Sequence, residues 1–393
     1  MKICILTLKH FADRTWILRD KEILQNTSFD VDIIGFEHAL PTYKNLLKLG
    51  NYLRKLKYCD IVVAWFAFPL PIFLSKMLGI PTIANAVGYE VACYPEISYG
   101  MPRNYLARSL ISLALKSSDI IIAISKESLK WAYRWSRKPG FVIYEGINIE
   151  DYDCKIVGGR KRSKEPTIIT IAFLGSMNVI RKDLPTLVKA ISIVKNKYPN
   201  VKLYIIGEKL DGYPLLKILA RKLNVEDNVI FTGKIKHRDL LKLLCNADIF
   251  VMTSYQEGFP TAACEAAITG IPLIVSDRPA MNEVFDENNA IIVKPADPIK
   301  LAKAIIYLLK NKDKANILGT RAMKLIQEKY NINVRKRKMF LLMLLILRQL
   351  YLKSKIKTFY KIRIKYVLYL WFFSIIKPLV SLPLKLLSKI IRI

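Results

Sequence analysis

Residues 254–277 read SYQEGFPTAACEAAITGIPLIVSD. A tight turn, EGFP, leads into a run of small residues that carries a second glutamate, Glu265, eight positions after the first, Glu257. The preceding DIFVMTS has the continuous apolar character of a strand, and TAACEAAIT reads as a helix start. Gly258 lets the backbone approach a ligand closely. Pro260 suits a first helical position, where its missing N–H costs nothing. The free N–H groups that follow, around residues 261–263, form a phosphate site helped by the helix dipole. Alanines at 262, 263, 266 and 267 let that helix pack closely. Glu265, about one turn in, can accept two hydrogen bonds from a vicinal diol such as a ribose. Glu257, on the turn before the helix, meets whatever lies past the phosphates: a sugar hydroxyl or a developing positive charge. The plainer reading of the same turn is helix capping and surface charge.

Working outward, strands and helices take turns. KICILTL, VDIIGF, DIVVAWF, IPTIANAV, DIIIAIS and GFVIYE read as strands in the first part of the chain. TIITIAFLG, VKLYIIG, NVIFTG, DIFVMTS, PLIVSD and AIIVKP read as strands in the second. Apolar runs that do not alternate suit parallel strands covered on both faces. The fold class is therefore α/β, with two Rossmann-like doubly wound domains facing across a cleft. The expected division is a first domain over 1–150, a polar linker over 151–165, a second domain over 166–332, and a basic apolar tail over 333–393.

The 393 residues carry a formal net charge of +31, which calls for a polyanionic partner. Residues 329–393 hold 16 of the 63 Lys and Arg and no acid. Their longest early apolar run, 339–347, falls short of the ~20 residues of a membrane span. Lysines beside Leu, Phe and Trp suit an interfacial or re-entrant anchor on an anionic membrane surface. The alternative is a tail that wraps the body. In KNLLKLGNYLRKLK, residues 44–57, Leu46, Leu49, Leu53 and Leu56 recur at helical spacing. That face suits either a bilayer or the underside of a sheet. Charge gathered in an apolar tail argues against nucleic acid. Six cysteines without a C-x-x-C pair read as buried free thiols, which fits a reducing compartment. The expected location is cytoplasmic, peripheral at the inner face of the cell membrane.

EGFPTAACEA followed by GIPLIVSD resembles the E-x7-E signature of retaining glycosyltransferases of family 4, which have the GT-B fold. The likeness covers most of residues 1–330 and implies that the first domain faces the acceptor and the second binds the nucleotide-sugar. FLGSMNVIRKDLPTLVKA, which begins at Phe173, resembles the family's stretch from a glycine-arginine pair to a lysine-glycine pair. FTGKI, with Gly233 and Ile235, is similar to the strand end beside the family's base pocket. The resemblance implies that Glu265 binds the ribose of a nucleotide-diphosphate sugar and Glu257 contacts the transferred sugar. It implies a phosphate site on the backbone of Gly258, Phe259, Pro260 and Thr261, with Gly175, Ser176 and Arg181 on the donor side. Lys182 matches the lysine that pairs with the diphosphate, in a scheme that needs no metal and no cofactor. The acceptor would be a glycan or a lipid-linked sugar.

Three positions depart from the family pattern. Ser176 stands where an arginine is usual, and Arg181 would reach the phosphates from another direction. Asp183 replaces the glycine after the lysine. VGYE, residues 87–90, replaces a His-Gly-x-Asp loop. His10 and Glu90 remain candidates for the acceptor or phosphate side. Two other functions fit the same residues: a nucleotide-sugar enzyme that does not transfer, such as an epimerase or phosphorylase, and a non-enzymatic basic lipid binder.

Overall fold

A computed structural model describes residues 1–26, 29–40, 48–159 and 165–356. The first series runs β1 (Lys2–Leu8), α1 (Thr15–Gln25), β2 (Asp30–Phe36), α2 (Leu49–Leu56), β3 (Ile61–Trp65), α3 (Pro69–Met77), β4 (Thr82–Ala86), α4 (Tyr105–Ser117), β5 (Ile120–Ala123), α5 (Lys126–Ser136) and β6 (Phe141–Val142). The second runs β7 (Thr167–Ile171), α6 (Ser176–Arg181), α7 (Leu184–Lys195), β8 (Lys202–Ile206), α8 (Tyr213–Lys222), β9 (Val229–Gly233), α9 (His237–Asn246), β10 (Ile249–Met252), α10 (Thr261–Ile268), β11 (Leu273–Ser276), α11 (Pro279–Asn282), β12 (Ile291–Val293), α12 (Pro298–Lys310) and α13 (Lys312–Lys329). Helix α14 (Ile332–Ile356) follows.

Each series makes one parallel sheet, ordered β2-β1-β3-β4-β5-β6 and β12-β11-β10-β7-β8-β9. The apolar runs of the sequence become these strands. β3 and β4 are buried at every position, as strands covered on both faces must be. In the second sheet the order reverses beside β7: β8 and β9 are added on one side, β10 to β12 on the other. Ligands of such sheets sit beyond the carboxyl ends of the strands at that reversal. The two loops there carry residues 175–182, after β7, and residues 253–260, after β10.

The chain crosses between the domains twice, and the crossings pair with each other. The Ile147 N–H donates to Tyr330 O and the Ile332 N–H to Ile147 O, each at 2.8 Å. Helix α14 then returns to the first sheet. Met339, Leu342 and Met343 are fully buried there, against Ile3, Ile17 and Trp65 among others. Arg335, on the same helix, is buried against Asp20 of α1. The boundary expected at 332/333 therefore does not separate a packed body from a tail, since the first turns of that segment are core of the first domain. Apolar composition alone does not distinguish a lipid-facing helix from one that closes a core. Residues 357–393 of the expected anchor lie outside the described residues. No helix among the described residues is long and apolar enough to cross a membrane.

Two further expectations change. Leu49, Leu53 and Leu56 of α2 pack on the first domain's core, so that apolar face is spent on the sheet; Leu46 lies outside the described residues. Four of the six cysteines form disulfides, Cys4–Cys59 and Cys154–Cys245, while Cys93 and Cys264 are free. The pairing of β1 with β3 brings Cys4 near Cys59, two residues before β3, a proximity no sequence spacing announces. The thiol argument for a reducing compartment falls away with it.

Candidate active site

Glu257 lies at the centre of the loop after β10. Its carboxylate takes Arg181 Nη1 at 2.9 Å and Lys182 Nζ at 3.1 Å, both from the loop after β7. The Ser254 hydroxyl donates to the same carboxylate at 2.8 Å. All three charged side chains are largely buried, at 10–12% exposure. Burial alone would raise the carboxyl pKa of Glu257, but Arg181 and Lys182 outweigh it and hold it at about 2. Burial conversely lowers the pKa of Lys182, with Arg181 adding to the effect against Glu257. The cluster thus has two cations for one anion and keeps a surplus positive charge.

Arg181 is held from several sides. Its Nη1 donates to Gln256 O at 2.8 Å and its Nη2 to Asn178 Oδ1 at 3.1 Å. Its guanidinium lies over the Tyr99 ring of the first domain at 5.6 Å. Its own carbonyl accepts the Tyr255 N–H at 2.7 Å, which ties the two loops together. Asp183 adopts φ +51°, the left-handed region that favours glycine and tolerates aspartate. This accounts for the residue type at that departure: the turn needs a left-handed residue. The Asp183 carboxylate fixes it by accepting the Ala296 N–H at 2.7 Å. Ser176 is exposed, with its N–H on Asp211 Oδ1 at 3.0 Å, and Gly175 precedes it at the start of α6.

Gly258 serves a different close approach from the one expected. A Cβ there would lie 2.1 Å from Val87 O, so the backbone that comes near belongs to the first domain. The facing loop, 87–90, turns on Glu90, which is fully buried and accepts the Val87 and Gly88 N–H groups at 2.6 and 3.1 Å. Burial pushes its carboxyl up to about 7. Its side chain is thereby committed to its own loop. Phe259 is buried against Tyr144 and Tyr330. Pro260 sits one residue earlier than expected, before the first helical residue Thr261. The Thr261 hydroxyl donates to Glu145 Oε2 at 3.0 Å.

Glu265, within α10, sits apart from this cluster beside the interdomain crossing. Arg19 of α1 reaches it at 3.9 Å and Glu145 at 3.8 Å, and donates to Gly146 O at 2.6 Å. Burial raises the Glu265 carboxyl to about 7, against the opposing pull of Arg19 and Tyr152. Gly233 closes β9 at φ +75°, and half-buried Ile235 packs on the second domain's core. His10 lies exposed on the turn after β1, its ring 4.0 Å from that of Phe11.

The structure thus brings Glu257, Arg181 and Lys182 together and leaves Glu265 apart from them, beside Arg19 and Glu145. Sequence reasoning missed Arg19, Asn178, Tyr99, Glu145 and Tyr152. Asn178 and Glu145 lie in quoted stretches, FLGSMNVIRKDLPTLVKA and GFVIYE, and none of the five has a spacing signal. The second domain also caps the first: Glu283 accepts the Lys126 and Glu127 N–H groups at the start of α5, both at 2.8 Å.

Residues 157–325 match the family model described as glycosyl transferases group 1. The chain is 26% identical over 259 residues to the putative teichuronic acid biosynthesis glycosyltransferase TuaC of Bacillus subtilis (strain 168), a match covering 63% of this chain and 61% of that relative. It thus spans less than two thirds of that relative's length. Sucrose-phosphate synthase from Thermosynechococcus elongatus superposes with a TM-score of 0.73 at 19% identity, over 90% of this chain and all of that one. Anabaena Alr3699/HepE, solved with UDP and glucose, gives 0.71 at 16% identity, over 86% of this chain and 98% of that one. The fold is GT-B, and the family match and the relative support a glycosyltransferase.

Proposed function

We propose that this chain transfers a sugar, with retention of configuration, from a nucleotide-diphosphate sugar to a glycan or lipid-linked acceptor at a membrane surface, as family 4 enzymes do. The observation that carries this reading is the buried Glu257–Arg181–Lys182 cluster at the reversal point of the second sheet. Glycosyl transfer passes through an oxocarbenium-like transition state while the leaving diphosphate gains charge. Lys182 and Arg181, with the N–H groups of Ala262 and Ala263 in the first turn of α10, supply fixed positive charge where that diphosphate develops; the Thr261 N–H is taken by Phe259 O at 2.9 Å. Glu257, ionised at any working pH, accepts sugar hydroxyls and stabilises the cationic ring. Glu265 accepts the ribose hydroxyls in place of Arg19. The resolved complexes of HepE with UDP and with UDP-glucose make a UDP-sugar the first donor to try.

The test is product analysis by mass spectrometry, with purified chain, UDP-, GDP- and ADP-sugars and lipid-linked or oligosaccharide acceptors. The reading expects an acceptor one sugar heavier, with the anomeric configuration of the donor retained. An altered nucleotide-sugar with no acceptor product would instead make the chain a non-transferring enzyme of this fold.

A further inference from the structure

Helices α4 and α5 lie side by side on the first domain, and their outer face combines exposed apolar side chains with bases that no acidic side chain among the described residues pairs. Helix α4 turns Ala107, Ile111, Ala114 and Leu115 into the core. Its opposite face exposes Tyr105, Leu106 and Leu113 at 78%, 68% and 56%. Beside them lies an open groove of about 400 Å³, lined by Arg108, Ser112, Lys116, Arg134 and Trp135, with no acidic side chain. Residues 101–140 hold eight Lys and Arg but only two acids, Asp119 and Glu127. Both acids are occupied elsewhere: Asp119 by Lys76 and the Thr82 N–H, Glu127 by the Tyr94 hydroxyl.

We propose that this face docks on an anionic lipid bilayer. Tyr105, Leu106 and Leu113 enter the headgroup region, and Arg108, Lys116 and Arg134 meet lipid phosphate. Exposed aliphatics rimmed by bases that have no acidic partner among the described residues match an interface that is apolar below and anionic above. A polynucleotide fits less well. It has no use for Leu106 and Leu113, and the Trp135 ring is no open stacking platform. Arg108 and Arg134 lie over that ring at 5.2 and 5.4 Å, and its N–H is bonded to Val91 O. The groove lies near Arg134, eight residues along α5 from the end capped by Glu283, or about 12 Å at the helical rise. This face belongs to the first domain, on which the lipid-linked acceptor of the proposed function would dock; the inference rests on that reading.

The experiment uses the full chain with Leu113 replaced by photoreactive p-benzoylphenylalanine, irradiated with vesicles of phosphatidylcholine alone or mixed with phosphatidylglycerol. The expected result is a lipid adduct at position 113 with the anionic vesicles only. R108A/R134A should weaken vesicle sedimentation about 25-fold, at about fivefold per basic side chain on an anionic surface. Arg134→Ala alone, about fivefold, serves if the double variant does not fold. The proposal is overturned if the chain sediments with anionic vesicles without an adduct at 113, if both vesicle types give equal adducts, or if added RNA is crosslinked in preference to lipid. Transfer to a water-soluble acceptor reads the catalytic proposal separately, so an active enzyme without the adduct would sink only the docking surface.

Discussion

Among the described residues, the Asp20–Arg335 pair and the Glu257–Arg181–Lys182 cluster are built from similar groups, and they differ in how completely they are satisfied. On the first sheet, Asp20 and Arg335 are each 2% exposed. Arg335 donates through Nε and Nη2 to both Asp20 oxygens at 2.7 Å and through Nη1 to Ile143 O and Tyr144 O at 2.9 Å. Asp20 also accepts the Trp65 indole N–H at 2.9 Å. One charge answers one charge, and four of the five guanidinium N–H groups are engaged. In the cleft, Glu257 answers two cations, and Lys182 donates to Glu257 alone among the described residues. The first cluster fastens α14 to α1. The second has an unspent cation and ammonium N–H groups left to give. A saturated pair makes structure; an unsaturated one is available for an anionic ligand.

Removing a partner from each cluster should therefore fail in different ways. Asp20→Ala leaves Arg335 charged and buried, at a cost of about 3–5 kcal/mol. Urea denaturation should show that loss, while the folded fraction keeps its kcat. If kcat falls with stability barely changed, the division between the clusters is wrong. Lys182→Ala should do the reverse, lowering kcat about 100- to 1,000-fold, the usual cost of one transition-state donor. Arg181 still holds Glu257, so steady-state kinetics on protein with a near-wild-type melting point is the informative measurement.

The pH response sharpens the comparison. Because the pKa of Glu257 is depressed in the folded state, its stabilising contribution is present above the unfolded value near 4.5 and lost as pH falls towards about 2. Lys182→Ala should make that loss begin at higher pH, which denaturation midpoints between pH 5 and 2 would record. The smallest effect concerns Glu90, a buried carboxyl whose partners are backbone N–H groups. Glu90→Gln should cost about 1–3 kcal/mol through a lost acceptor, with kcat within a few-fold of wild type. A large kcat effect would return Glu90 to the acceptor side.

The sequence made legible what depends on local chemistry. Continuous apolar runs such as IVVAW and TIANA could only be covered strands, and EGFP with its glycine and proline could only be a turn into a helix. Partnership was not legible. Arg19 meets Glu265, and Arg335 meets Asp20, from distant parts of the chain, and neither meeting leaves a trace in spacing. Gly258 was read as room for a ligand because a glycine announces a close approach without saying to what; the neighbour is Val87 O. The segment from 333 was read as membrane-seeking because lipid and protein core select the same side chains. Ser176 and Asp183 depart from the family pattern in residue type. At Asp183 the left-handed backbone shows that the turn is kept by another residue type.

The central claim is that the surplus charge beside Glu257, together with Glu265, holds a nucleoside diphosphate. Titration calorimetry of UDP, GDP and ADP into wild type, Lys182→Ala and Glu265→Ala tests it most directly. The account predicts that one nucleotide binds wild type and that both variants bind it at least tenfold more weakly. No binding by any of the three, or equal binding by all three proteins, would contradict it.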